Sequence, residues 1–172
     1  MGAVRIEPYA LRHAPAFGRL AAHPLVAATT LVPHPYPPGE AERHAERAAE
    51  ARHRREWFAF AVLAGGAVVG SCSLKHLDWE ARQGEVGYWI GVPHWGRGYA
   101  SEAVRLVTAF GFGDLGLVRI VAEVLAGNAG SERVLEKAGY RRVRSFPNPH
   151  ERYAGRPTWL YAAETPADRA GS

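Results

Sequence analysis

The residues best placed to do chemistry stand in one stretch, Glu85-Val86-Gly87-Tyr88-Trp89-Ile90-Gly91-Val92-Pro93-His94-Trp95-Gly96-Arg97-Gly98-Tyr99-Ala100-Ser101-Glu102-Ala103. An apolar strand over Glu85–Val92 runs into a turn that breaks pairing. A glycine-rich loop follows and opens directly into a helix. The first N–H groups of such a helix have no partner within it, and the helix dipole adds about half a positive charge at that end. Together they make a seat for a phosphate or pyrophosphate. Gly96 and Gly98 carry no Cβ, so the backbone can come close to the anion. Arg97 adds a guanidinium that can pair with phosphate directly, and Trp95 can pack beneath the loop.

Two familiar loops differ from this one. A P-loop requires Gly-x-x-x-x-Gly-Lys-Ser/Thr, and no such Lys follows here. A dinucleotide fingerprint requires Gly-x-Gly-x-x-Gly, and Gly96-Arg97-Gly98-Tyr99-Ala100-Ser101 puts Ser at the third glycine, where helix and sheet must pack closely. Glu123 on a following strand could still act as the ribose-binding acid. This loop by itself therefore leaves a Rossmann-type dinucleotide site open, and a structural turn as well.

A second block follows. Leu117 to Val124 is a strand of β-branched residues, and after it comes Asn128-Ala129-Gly130-Ser131-Glu132-Arg133-Val134-Leu135-Glu136-Lys137-Ala138-Gly139-Tyr140. Together the two blocks resemble the GNAT acetyltransferase superfamily, and within it the RimJ/RimL-type branch. The superfamily pattern Gln/Arg-x-x-Gly-x-Gly/Ala is matched by Trp95-Gly96-Arg97-Gly98-Tyr99-Ala100, with Trp at the first position as is usual for the branch. The second block is similar to the branch's Asn-x-x-Ser-x-x-x-x-Glu-Lys-x-Gly-Phe/Tyr. The resemblance covers nearly the whole chain, about residues 5 to 162.

The resemblance implies a co-substrate, acetyl-CoA, and no metal. It implies that Gly96, Arg97, Gly98, Tyr99, Ala100 and Ser101 hold the pyrophosphate. Backbone groups around Ile90, Gly91 and Val92 serve the thioester and pantetheine, and Asn128 holds the pantetheine amide. Ser131 stands where the branch has a serine that can hydrogen-bond the coenzyme sulfur. Many members place a Tyr seven residues after the equivalent of Asn128; here that position is Leu135, so the usual phenol is absent. Ser131 and Asn128 each have a structural reading too, as helix-capping residues.

Acetyl transfer from a thioester to an amine needs a neutral amine, a donor to the thioester oxygen as it gains charge, and a proton for the departing thiolate. One backbone N–H on the strand before the loop can contribute about 10²–10³ in rate. Glu85, at the start of that strand, is the candidate base. Alternation puts Glu85, Gly87, Trp89 and Gly91 on one face. A solvated strand-end acid is the competing reading; Glu123 and His76 are lesser candidates. Cys72 lies in Val68-Val69-Gly70-Ser71-Cys72-Ser73-Leu74, an apolar run with no evident base beside it, and reads as a small buried filler.

The elements around these residues read as follows. Val4–Tyr9 alternates as a first strand. Leu11 to about Ala28 is weakly helical, broken by Pro15 and Pro24, and Val32–Pro38 is a stiff loop. Glu40–Arg55 is a clear helix whose basic end Arg52-His53-Arg54-Arg55 complements the dipole. Trp57–Ala64 and Ala67–Leu74 form a hairpin about Gly65-Gly66. Tyr99 to about Phe112 is the helix after the loop, and Ser131–Ala138 is another, with Gly139 closing it. Tyr140–Phe146 and Thr158–Ala163 are final strands. Consecutive strands joined by hairpins argue against a doubly wound sheet, since only Glu85–Val124 forms a βαβ unit. The fold class is therefore α/β of the α+β kind: a mixed, mostly antiparallel sheet of about six to seven strands flanked by about four helices. In the superfamily, the strands of that βαβ unit diverge into a V-shaped cleft.

At 172 residues the chain reads as a single domain, 1–172, with a tail after Glu164 expected to fray. Its one cysteine excludes an intrachain disulfide and suits a reducing compartment. The longest uncharged run divides into two strands, and the N-terminus lacks a continuous apolar signal region, so a soluble cytoplasmic protein without a membrane partner is expected. A net charge of +4 suits an acidic ligand such as coenzyme A; nucleic acid is disfavoured because the basic run closes a helix. A homodimer is compatible with the chain. For the acceptor, an α-amine is about 10–17% neutral at pH 7 and a lysine amine about one part in two thousand. The loops Ala28–Pro38 and Phe146–Thr158 are rich in aromatics, Pro and His and carry Glu151 as their one acid. This favours a peptide N-terminus or small amine over a polyamine. The contrasting reading is a coenzyme A-binding regulator or scaffold without transferase activity.

Overall fold

The chain was analysed as a computed structural model, which describes residues 2–165. Its framework is a mixed sheet built from β1 (Val4–Pro8), β2 (Phe58–Ala64), β3 (Ala67–Asp78), β4 (Gln83–Ile90), β5 (Arg119–Leu125), β6 (Arg141–Pro147) and β7 (Pro157–Glu164). The strand order is β1-β2-β3-β4-β5-β7-β6. Every pairing is antiparallel except β4 with β5. β2 is buried at every position because both of its faces are covered, hence its unbroken apolar run.

Five helices accompany the sheet among the described residues: α1 (Ala14–Ala21), α2 (Pro24–Ala27), α3 (Glu40–His53), α4 (Tyr99–Gly113) and α5 (Ala129–Lys137). The expected breakers Pro15 and Pro24 do not end a helix. Each opens one, within the first two positions, where the missing N–H would have had no intrahelical partner. The single turn α2 is the helix beyond the expected four. β4 ends at Ile90 rather than Val92, because Pro93 lies in a 3₁₀ turn, Val92–His94, that cannot continue the ladder. At the other end, the Thr165 N–H donates to the Val118 carbonyl at 3.0 Å, so the chain is still held there. The rest of the expected frayed tail, 166–172, lies outside the described residues.

The sheet carries a core on each face. On one side α4 and α5 cover Leu74, Val86, Ile90, Val104, Val107, Ile120 and Leu135. On the other, α1 and α3 cover Tyr9, Phe17, Ala59, Ala61 and Leu63. β4 belongs to both: Val86, Tyr88 and Ile90 face the first core, while Trp89 packs against the second. Any ligand reaching β4 from the α4 side and any reaching it from the α1 side meet opposite faces of the same strand.

Candidate active site

Only three residue pairs join β4 to β5: Gln83 with Arg119, Gly84 with Ile120 and Glu85 with Val121. Both strands continue beyond that point, β4 to Ile90 and β5 to Leu125, so they splay apart in a V whose vertex is Glu85. The Gly91 N–H donates to the Val69 carbonyl at 2.8 Å, and is thereby committed to β3. In an antiparallel ladder the residues that bond to one neighbour alternate. Tyr88 and Ile90 therefore turn their backbone groups toward the side that β5 has left. The Ile90 carbonyl is taken at 2.6 Å by the indole N–H of Trp95, which ties the loop after β4 to the strand's end. Close packing of β3 on β4 depends on Gly70, where a Cβ would stand 2.2 Å from the Trp89 carbonyl oxygen.

The loop itself has the expected geometry. Gly96 and Gly98 lie in the left-handed region, φ +74° and +76°, and a Cβ built on either meets nothing within 4 Å. The conformation and open space fit a backbone that receives a ligand. Gly98 is the N-cap of α4, with no side chain closing the cap, so the first amides of a helix of about four turns point outward. Tyr99 and Ser101 are buried and fix the helix start. Ala100 is half-buried, and Arg97 is exposed.

Across the gap, α5 starts with Asn128, whose side-chain oxygen accepts the Ser131 N–H at 3.2 Å. Asn128 is thus the cap, and Ser131 is the third residue of the helix rather than its cap. Its hydroxyl is free of capping duty and meets the Tyr88 hydroxyl at 3.0 Å, which also donates to the Ser131 carbonyl at 3.2 Å. Burial holds the Tyr88 phenol well above its ordinary range, the neutral form a proton donor needs. Leu135 is fully buried in the core.

At the vertex Glu85 is not alone. Its carboxylate oxygens meet Lys75 Nζ at 3.2 Å and His76 Nδ1 at 2.7 Å, and its side chain is 14% exposed. An ionised carboxylate only accepts, so Nδ1 carries the hydrogen, and in the neutral ring Nε2 keeps its lone pair. His76 has φ +49° at an irregularity in the β3–β4 ladder; a non-glycine residue there is strained, and such strain gathers at functional positions. Glu123 faces the same corner from β5. Desolvation against the cleft wall, with the Glu85 carboxylate second, holds its carboxyl above the ordinary value, against the pull of Lys75, His76 and Arg144. The side chain remains largely exposed.

These groups line one cavity of about 840 Å³ that passes through the sheet's open V, with Tyr88, Asn128 and Ser131 on one side and Glu85, Gly87 and Trp89 on the other. Its roof is two loops clasped together. Tyr153 donates its hydroxyl to the Thr30 carbonyl at 2.8 Å, and Arg152 donates to the carbonyls of Thr30 and Val32 at 3.2 and 3.3 Å. Cys72 is buried, and its thiol is pushed far up by desolvation, so it cannot serve as a nucleophile.

The structure thus brings Glu85, Asn128 and Ser131 to one cavity; Ile90 ends β4, and Gly91, Val92 and Gly96–Ser101 follow it beyond that cavity's lining. Arg133 and Lys137 are exposed on α5. Sequence reasoning missed Tyr88 and Lys75. Tyr88 sits one residue off the face assigned to Glu85 and Trp89, and strand alternation already pointed it the other way. Lys75 is found only through its register opposite Glu85.

A mixed sheet opened between two parallel strands, with an uncapped helix start at the head of the opening, defines a class of fold. Comparison with known proteins gives this class a name. Residues 3–141 match the acetyltransferase (GNAT) domain family, and the chain belongs to it. The uncharacterized N-acetyltransferase p20 of Bacillus licheniformis is 36% identical over 85 residues, 49% of this chain and 48% of that protein. The chain thus spans about half the length of the curated relatives it matches. RimL, a ribosomal L7/L12 alpha-N-protein acetyltransferase solved with coenzyme A, shares the fold with a TM-score of 0.84 at 14% identity, covering 96% of both chains. Mycobacterium smegmatis RimJ, solved with a coenzyme A disulfide, does so with a TM-score of 0.82 at 21% identity, covering 99% of this chain and 85% of that one.

Proposed function

We propose that the chain transfers an acetyl group from acetyl-CoA directly to a primary amine, either a peptide N-terminus or a small amine. The observation that carries this reading is the V between β4 and β5, with the Gly96–Ser101 loop at its head and Glu85 at its vertex. The amides of Gly98 to Ser101 and the Arg97 guanidinium hold the pyrophosphate. The backbone edge at Tyr88 and Ile90 that β5 has left lies along the pantetheine arm, as a strand lies along its neighbour, and the N–H of Ile90, whose carbonyl is held by Trp95, faces the thioester oxygen. Asn128 borders the arm from α5.

The amine enters from the α1 side over Gly87. Its ammonium proton goes through water to the Glu85 carboxylate, which the His76 Nδ1–H and the Lys75 ammonium hold in place. Nitrogen then attacks the thioester carbon, the carbon–sulfur bond breaks, and the thiolate takes a proton through the Ser131 hydroxyl, backed by Tyr88. No acetyl-enzyme forms, since the one thiol is sealed in the core. Among the described residues no helix is long and apolar enough to cross a membrane. The location we infer is the cytoplasm, whose reducing conditions suit a lone cysteine.

The test is release of free thiol from acetyl-CoA against a panel of amines. Turnover that depends on the amine, with acetylated amine as product, supports the transferase. Coenzyme binding without turnover on any amine would mean a coenzyme-binding scaffold.

A further inference from the structure

The acceptor half of the cavity has a composition that the coenzyme does not account for. On the α1 side, Trp89, Phe17, His44 and Trp57 form one continuous aromatic wall: Phe17 to Trp89 at 4.9 Å, Phe17 to His44 at 5.2 Å and His44 to Trp57 at 4.9 Å between ring centres. Tyr36 lines the same space. Trp57, Trp89, His44 and Tyr36 are only half-buried, so ring surface remains open to the cavity. The wall is uncharged at neutral pH. Burial pushes the His44 imidazole down to about 4 and the Tyr36 phenol up to about 12. At the rim, Glu40 and Arg47 pair with each other, and Arg43 also contacts Glu40. Nothing in this wall would draw in a second ammonium group.

The distances along β4 set what fits. Gly87 has no side chain, and the space above it is bounded by Lys75 and Ser73. Gly87 lies between Glu85 and Trp89 on the same face of β4. Two residues of strand separate Gly87 from each, about 7 Å either way. An amine over Gly87 thus places its nitrogen within a water's reach of Glu85, and a group extending the other way meets aromatic rings. Resting on the transferase reading above, we propose that this cleft selects an arylalkyl amine: a primary amine joined by a short saturated linker to an aromatic ring that lies against Phe17, His44, Trp57 and Trp89. An aromatic amino acid and a peptide with an aromatic first residue share this chemistry. The clasped roof of Arg152 and Tyr153 favours the smaller of the two.

The experiment measures kcat/KM for phenylalaninamide, the tripeptide amide Phe-Ala-Ala, alaninamide and spermidine at saturating acetyl-CoA. The expected result is a preference for phenylalaninamide over alaninamide of about ten- to a hundredfold, the range for burying one aromatic group, with spermidine poorest. Trp57→Ala should reduce that ratio about tenfold while acetyl-CoA still raises the melting temperature. If Trp57→Ala fails to fold, Trp57→Leu removes the aromatic ring with a smaller loss of volume and should still weaken the preference. A tripeptide as good as phenylalaninamide assigns the site to peptide N-termini, and one about tenfold worse assigns it to free small amines. Turnover of these amines without aromatic preference would overturn the aromatic site and leave the transferase standing. If no amine turns over, the transferase reading fails, and calorimetry on the coenzyme-loaded protein decides the site: phenylalaninamide binding about tenfold tighter than alaninamide upholds it, and equal binding rejects it.

Discussion

At the scale of single residues the account turns on two proton-handling pairs, one on each side of the V. Glu85→Gln keeps the shape and removes the charge that Lys75 and His76 engage. Turnover at pH 7 should fall about 10²-fold, the low end for loss of a general base, with partial recovery at higher pH as more amine arrives neutral. A pH–rate profile superimposable on that of the unaltered protein would remove Glu85 from the reaction. On the other side, Ser131→Ala and Tyr88→Phe should lower kcat more than they weaken coenzyme binding, and the double variant should cost little beyond Ser131→Ala, because the two hydroxyls act as one relay. Equal losses in melting temperature and rate, adding in the double variant, would mark them as packing. Of these residues, Glu85 was legible in the sequence from its place at the start of the strand before the loop, and Asn128 and Ser131 from the resemblance of the second block; the structure sets all three on one cavity. Tyr88 and Lys75 were not, since their meaning comes from strand register; His76 was a lesser candidate base, and its place beside Glu85 comes from a ladder irregularity that no local pattern announces.

At the scale of elements, the gap exists because β4 is bound tightly on one edge and released on the other. At Gly70 of β3 an added Cβ would stand 2.2 Å from the Trp89 carbonyl oxygen of β4. Gly70→Ala should destabilise by about 2–3 kcal/mol, as overpacking against backbone cannot relax by a rotamer change; urea unfolding measures it. Gly113→Ala, at the end of α4 with nothing within 4 Å of the added carbon, should be neutral or stabilising by up to about 1 kcal/mol. The hairpin and the βαβ unit were plain in the sequence. The helix starts at Pro15 and Pro24 were not, because proline breaks or opens a helix depending on the turn it occupies, and only the fold decides which.

At the scale of the molecule, two cores share one sheet, and the acceptor side is held by the aromatic cluster around His44. Its imidazole titrates near 4 in the fold against about 6.5 in an unfolded chain. Between those values the unfolded chain binds more protons, so stability is full above about pH 6.5 and is lost as pH falls toward 4. Buried His13, pushed down by desolvation, adds with the same sign. His44→Phe should flatten the dependence of melting temperature on pH across that window by an amount worth about 1–3 kcal/mol; an unchanged slope would mean that folding leaves the proton affinity of His44 unaltered.

The most direct measurement of the central claim is acetyl-CoA binding followed by melting temperature and calorimetry, with Gly98→Glu beside the unaltered chain and NAD as the competing ligand. A ligand that binds only the folded state raises its melting temperature by mass action. The account predicts a rise with acetyl-CoA that Gly98→Glu abolishes, because a carboxylate would stand in the phosphate's seat at the start of α4, and no rise with NAD. Equal stabilisation by NAD, or undiminished acetyl-CoA binding by Gly98→Glu, would contradict it.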